Sequence, residues 1–200
     1  AVKLDPQDAD AHCALAWMLV MSGDLGQSEI EFERAIKLNP NSADILTHYS
    51  GWAGAFGKPE KGVELAERAI RLNPNAPLWA VGAYRSAFYE VGRYEDAWYW
   101  HEQRPRGRND RHDYLFSGIL LAELGKLDEA HAAVAENLAK FPDTSIEGWM
   151  GTPDWNDQQR ELYGKSMRKA GFPVCATENE LKAFPNLIRL PECVQAQAAN

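Results

Sequence analysis

The chain has 200 residues, of which 45% are hydrophobic and seven are tryptophan, and it carries a formal net charge of −8. That apolar share is enough for a packed core and too large for a disordered chain, while a surface this acidic repels phosphate backbones and argues against nucleic acid as a partner. No apolar run reaches the roughly 18 residues that a membrane helix needs, so membrane insertion is not expected.

The opening residues Ala1-Val2-Lys3-Leu4-Asp5-Pro6 recur as Ala35-Ile36-Lys37-Leu38-Asn39-Pro40 and as Ala69-Ile70-Arg71-Leu72-Asn73-Pro74. The prolines stand 34 residues apart, and two further periods lead to Pro142. A second marker runs alongside, with Gly23, Gly57, Gly92 and Gly125 spaced 34, 35 and 33 apart. Between these markers apolar or small residues fall at i, i+3, i+4 and i+7, the spacing of one helix face. Each unit is therefore expected to hold two helices, A and B. Glycine closes the first by taking positive φ without a Cβ clash, and proline cannot extend the second. A single helix pair cannot bury its own apolar face, so about three units are needed for stability.

Residues 1–6 read as the last turns of an earlier helix B, and the parent protein is expected to extend further at its N-terminus. Four units follow at about 7–40, 41–74, 75–108 and 109–142. The first reads His12, Leu15, Ala16, Leu19, Gly23, Ser28, Phe32, Ala35 and Pro40; the second Leu46, Tyr49, Ser50, Ala53, Gly57, Gly62, Ala66, Ala69 and Pro74. The third is clearest at Gly92-Arg93-Tyr94-Glu95-Asp96-Ala97, and the fourth reads Tyr114, Ser117, Gly118, Leu121, Gly125, Leu127, Ala130, Val134 and Pro142. This register resembles the tetratricopeptide repeat (TPR), W-x2-L-G-x2-Y…A-x3-F…P. The resemblance implies an all-α fold, a right-handed TPR solenoid of antiparallel helix pairs; the residues after Pro142 add a C-terminal capping helix and a folded-back tail. The third unit departs from the pattern. It has one extra residue before Gly92, His101 and Arg104 stand where Phe and Ala are wanted, and Pro105 cuts its helix B short. Arg104, Arg106, Arg108 and Arg111 form a basic run, offset by Asp110 and Asp113, that reads as a solvated loop. The aromatic cluster Trp98-Tyr99-Trp100-His101 reads as core, with a convex binding patch as the alternative.

After Pro142 the period stops. Residues 143–171 are expected to form a capping region: Asn156 with Gln159 resembles a capping box, and Trp155, Leu162, Tyr163, Met167 and Ala170 share a helix face ended by Gly171 and Pro173. Residues 172–200 form a tail too rich in large apolar residues (Phe172, Val174, Leu181, Phe184, Leu187, Ile188, Leu190, Val194) to stay solvated. A capping box at Thr177 and Glu180 predicts a short helix. The tail is expected to fold back, either over the end of the last helix pair or into the concave groove as a built-in ligand. Phe141 to Ile146 and Leu162…Met167-Arg168-Lys169-Ala170-Gly171-Phe172-Pro173 also resemble the close of rhizobial-type bacterial proteins in which a class III adenylate/guanylate cyclase domain precedes a TPR region.

In TPR proteins helix A lines the concave face where partners lie, and this is what the resemblance implies here. The inward positions are Asp10, Cys13, Trp17, Val20 and Met21 in the first unit, and Asp44, Thr47, Gly51, Gly54 and Ala55 in the second. They are Trp79, Gly82, Ser86, Tyr89 and Glu90 in the third, and His112, Leu115, Ile119, Ala122 and Glu123 in the fourth. The groove is apolar and aromatic with acids at its margins. It lacks the Lys/Asn/Arg set that clamps a C-terminal carboxylate in chaperone-binding repeats. It suits an extended or helical segment with hydrophobic anchors and basic flanks; the alternative is that Trp17, Trp79 and Leu115 only pack between helices. Gly51 and Gly54 serve either close helix packing or close approach of a ligand backbone.

No HExxH, GxSxG, P-loop or GxGxxG occurs, so neither catalysis nor a cofactor is expected of this chain. Cys13, Cys175 and Cys193 are odd in number and widely spaced, with no CxxC, so free thiols in a cytoplasmic protein are expected and a zinc site is not. The expected function is a protein-interaction scaffold within a larger bacterial signalling protein. The alternatives are the regulatory or oligomerising part of a nucleotide cyclase, and a homodimerisation module.

Overall fold

Short polar side chains start the first helices by accepting amides that lack a partner inside the helix. Asp8 accepts from the N–H groups of Asp10 and Ala11, Asp24 from Gln27, and Ser42 from Ile45. The computed structural model describes residues 2, 5–104, 111–152 and 155–198. Ala1, Lys3 and Leu4 of the opening segment and Pro105, Arg106, Arg108 and Asp110 of the linking run lie outside the described residues. The described residues form helices and no strands, in two compact units, Ala1–Arg104 and Pro105–Asn200.

The first unit contains α1 (Ala9–Met21), α2 (Leu25–Leu38), α3 (Ala43–Trp52), α4 (Pro59–Leu72), α5 (Leu78–Glu90) and α6 (Tyr94–Glu102). They pack as the pairs α1/α2, α3/α4 and α5/α6, with α3 lying beside both α1 and α5. Gly23, Gly57 and Gly92 follow the first helix of each pair at φ of 82°, 71° and 78°, a region closed to most L-residues. Ala16, Phe32, Ala35, Leu46, Ala66 and Ala69 are fully buried between the helices. The Ser28 hydroxyl donates to the Ala16 carbonyl at 2.8 Å, so a polar residue is satisfied inside this seam. Phe32 stacks on Tyr49 at 5.3 Å and joins the first pair to the second. In the third pair α5 buries Ala80, Val81, Tyr84, Arg85, Ala87, Phe88 and Tyr89. Its partner α6 has nine residues where α2 and α4 have fourteen. Within the aromatic cluster Trp100 packs edge-on against Tyr84 at 4.9 Å, while Tyr99 is exposed.

The second unit contains α7 (Arg111–Glu123), α8 (Leu127–Lys140), α9 (Ile146–Met150), α10 (Asp157–Ala170), α11 (Glu178–Ala183) and α12 (Pro191–Ala198). α7 and α8 pair across Gly125, φ 77°. α10 starts on the Asn156/Gln159 capping box, packs on α7, and buries Tyr163, Met167 and Ala170. It also ends on a positive-φ glycine, Gly171. Tyr163, Gly164 and Met167 stand before Gly171 as Tyr49, Ser50 and Ala53 stand before Gly57. The helix read as a cap thus has the form of the first helix of another pair, displaced by an insertion that carries α9: 171 − 125 = 46, which is the 34-residue period plus 12.

The tail folds back onto its own unit. The Ile146 and Glu147 amides donate to the Pro173 and Val174 carbonyls at 2.8 and 2.9 Å, and the Ile188 amide donates to the Gly151 carbonyl at 2.7 Å. Two buried carboxylates complete the attachment. Glu180 accepts from the Ser145 hydroxyl (2.7 Å), the Ser145 amide (3.2 Å) and the Thr177 amide (3.0 Å). Glu147 accepts from the Leu190 amide (2.7 Å), the Ala176 amide (2.8 Å) and Arg189 Nε (2.8 Å). The tail therefore lies on the 143–151 segment, with Arg168 of α10 paired to Glu192 at 2.6 Å. One expectation is overturned: Cys175 and Cys193 are joined by a disulfide and only Cys13 is a free thiol. Wide sequence spacing argued for free thiols, but the fold-back brings the two Cα atoms to 5.3 Å. Among the described residues no helix is long and apolar enough to cross a membrane.

Candidate functional site

Helices α1, α3 and α5 lie side by side in the first unit and carry the positions read as inward in the first three repeats. Gly51 sets how closely two of them pack. A Cβ built there would lie 2.9 Å from the Ala83 Cβ and 3.2 Å from its Cα, so α3 and α5 meet as closely as their backbones allow. A Cβ at Gly54 would collide with the Glu90 carboxylate. Both glycines are thus accounted for by packing within the unit.

Close approach buries some of these positions. Cys13, Val20, Thr47, Ala55 and Tyr89 are buried in the interhelical seams. The Thr47 hydroxyl donates to the Ala43 carbonyl at 2.7 Å and pairs with the Tyr84 hydroxyl at 2.8 Å. Gly82, Ser86 and Glu90 are half-buried, and a Cβ at Gly82 would lie 3.4 Å from Arg104 Nη1. Five of the positions read as inward stay open: Trp17 (42% exposed), Trp79 (46%), Met21 and the carboxylate-bearing Asp10 and Asp44. Trp79 stacks face to face on His48, ring centroids 4.6 Å apart, which holds the indole in place while leaving its outer surface in solvent.

The electrostatics of this face are acidic. Burial, and then the charges of Asp10 and Asp44, push the Cys13 thiol up to about 12, so it stays protonated and unreactive. Burial lowers the pKa of His48 and Asp44 partly counters it, leaving a neutral ring against Trp79 near pH 7. His48 was not among the inward positions read from the sequence, because it stands nine residues before Gly57, outside the repeated stripe. Its place four residues after Asp44 was the available signal.

In the second unit the fourth repeat's inward residues are largely covered. Leu115, Ile119 and Ala122 are fully buried, and Glu123 accepts from the Ser166 hydroxyl (2.5 Å) and Lys169 (2.7 Å) of α10. His112 is exposed at its edge and meets Trp149 of α9 at 4.7 Å, with the Arg111 guanidinium 5.6 Å from the same ring. Among the described residues no group of three or more His, Cys, Asp or Glu is arranged to hold a metal ion.

Comparison with known proteins agrees with this architecture. Residues 9–42 match the tetratricopeptide repeat family. No curated protein matches the chain. Among solved structures, YrrB, a TPR protein with an unusual peptide-binding site, is similar at a TM-score of 0.57 and 16% identity, over 99% of this chain and 96% of that one. Pseudomonas aeruginosa pilF is similar at a TM-score of 0.55 and 16% identity, over 89% and 85%. At this identity the likeness shows the fold alone.

Proposed function

From its tetratricopeptide-repeat fold we propose that the chain is a protein-interaction scaffold whose first unit holds a polypeptide segment along the face of α1, α3 and α5. The carrying observation is the pair of half-exposed indoles, Trp17 and Trp79, on helices whose seams close tightly. Large aromatic side chains left open to water lose free energy that a bound apolar side chain recovers, and tryptophan is prominent among residues that anchor interfaces. Asp10 and Asp44, exposed on α1 and α3, favour a segment with Lys or Arg next to its apolar anchors. The peptide-binding site of YrrB, on a similar fold, is in keeping with this reading.

Selection of a displayed library of random twelve-residue peptides on the 200-residue chain tests it. Enriched peptides are expected to combine an aromatic or aliphatic anchor with a basic neighbour. Trp17→Ala and Trp79→Ala should each weaken their binding by about 2 kcal/mol, roughly 30-fold, with the helical circular dichroism kept. Unfolding of the repeats by both substitutions would make the indoles core residues, and enrichment of acidic peptides would place the site elsewhere.

A further inference from the structure

The last helix is fastened to the second unit differently from the rest of the tail. Up to Leu190 the tail is held by groups buried against the 143–151 segment: Glu180 on Ser145, Glu147 on the Ala176 and Leu190 amides, and the Ile188 amide on the Gly151 carbonyl. α12 begins just past that point, where the Cys193 and Val194 amides donate to the Leu190 carbonyl at 3.0 and 3.1 Å. Cys193 is buried, but Pro191, Glu192 and every residue from Val194 to Gln197 are exposed. The Arg168–Glu192 pair and the Arg189–Gln197 bonds lie at the surface, where such contacts contribute little. A helix of eight residues does not hold its shape alone in water.

The disulfide that ties it down has an open end and a closed end. Cys175 is exposed, whereas Cys193 is only 1% exposed. A thiolate arriving from solvent therefore meets the Cys175 end. Both arms that the bond joins are also anchored on one carboxylate. Ala176, next to Cys175, and Leu190, three residues before Cys193, donate their amides to Glu147 at 2.8 and 2.7 Å. Breaking the bond leaves these anchors in place, and they keep the two thiols within reach of each other.

We infer that Cys175 and Cys193 form a reversible dithiol/disulfide couple that fastens α12 when oxidised and releases it when reduced. The co-reactant is a dithiol. One of its thiolates attacks the Cys175 sulfur and forms a mixed disulfide; the bond to Cys193 breaks, and its electron pair leaves on the Cys193 sulfur, which takes up a proton. The second thiol of the reductant then attacks the reductant's own sulfur in the mixed disulfide, closing a cyclic disulfide and returning Cys175 as a thiol. Two electrons and two protons pass from the dithiol to the protein. α12 then loses its covalent tie and frays, taking Glu192 away from Arg168, while the tail up to Leu190 stays on Glu147 and Glu180. The couple lies within the second unit and stands whether or not the Trp17/Trp79 face binds a peptide.

Dithiothreitol added to the folded 200-residue chain, without denaturant, tests this. Alkylation followed by mass measurement should show Cys175 and Cys193 newly labelled, with the helical circular dichroism nearly kept. Hydrogen exchange should rise by about tenfold or more across 193–197 and by less than about threefold at the Ile188 and Leu190 amides, and oxidised glutathione should reverse the change. The double variant Cys175→Ser, Cys193→Ser should show the released pattern without any reductant. A bond that yields only after urea has unfolded the chain overturns the inference. So does reduction that leaves exchange at 193–197 unchanged, since α12 would then be held without the bond. An equal rise across 174–197 overturns it too, because the bond would then brace the whole tail.

Discussion

His101 stands where the repeat pattern calls for phenylalanine, and that exchange puts a titratable ring among cations. Burial, followed by the charges of Arg85 and Arg104, lowers its pKa to about 3, and Arg85 Nη1 lies 3.4 Å from its Nδ1. An unfolded histidine titrates near 6.5. Between those values the unfolded chain takes up a proton that the folded chain refuses, so the contribution is intact above about pH 6.5 and is lost as pH falls toward 3. Thermal melts between pH 7 and 4.5 should therefore fall more steeply for the native chain than for His101→Phe. Parallel curves would show that the ring titrates alike in the folded and unfolded states. Cys13 is the opposite case, a titratable group that the fold silences: its raised pKa leaves no thiolate for reagents to attack near neutral pH.

At the scale of the helices, the contact between α3 and α5 turns on Gly51. Alanine there would gain about 1 kcal/mol in helix propensity but would bring its Cβ to 2.9 Å from Ala83. Overpacking of a seam costs typically 1–3 kcal/mol. Gly51→Ala should therefore be neutral to destabilising by about 2 kcal/mol in urea melts, and Gly51→Val worse. Stabilisation by both would mean that the helices can separate freely. The 34-residue period made the helix pairs of 7–142 legible because each glycine and proline marks a backbone requirement. It did not reveal α10 as a further first helix, since the twelve inserted residues that carry α9 break the count to Gly171. On the candidate face the stripe of positions included the open residues Trp17 and Trp79. It could not tell them from Thr47 and Tyr89, because which of these is buried depends on how closely neighbouring helices approach, and that is decided by residues on the other helix.

Taken as a whole chain, the attachment of the tail rests on two buried carboxylates rather than on apolar burial alone. Burial raises the pKa of Glu147, but Arg189 and the amides of Ala176 and Leu190 outweigh it and hold the group below the usual glutamate range. Its contribution is present above the unfolded value of about 4.3 and is lost as pH falls through the lower folded value, so the tail should loosen only in strong acid. Glu147→Ala strands two amides and a guanidinium and should cost about 3 kcal/mol. Faster hydrogen exchange across 174–197 at pH 7 is the expected readout, and unchanged exchange would mean that the tail is held without it.

The link between Cys175 and Cys193 encloses α11 and the exposed Lys182 in a covalent ring. A trypsin cut after Lys182 therefore opens the ring without dividing the molecule. The cut chain weighs one water more than the intact one and keeps both Glu147 and its partners on a single covalent body. It travels as one band on a denaturing gel until a reductant lets the piece carrying α12 leave.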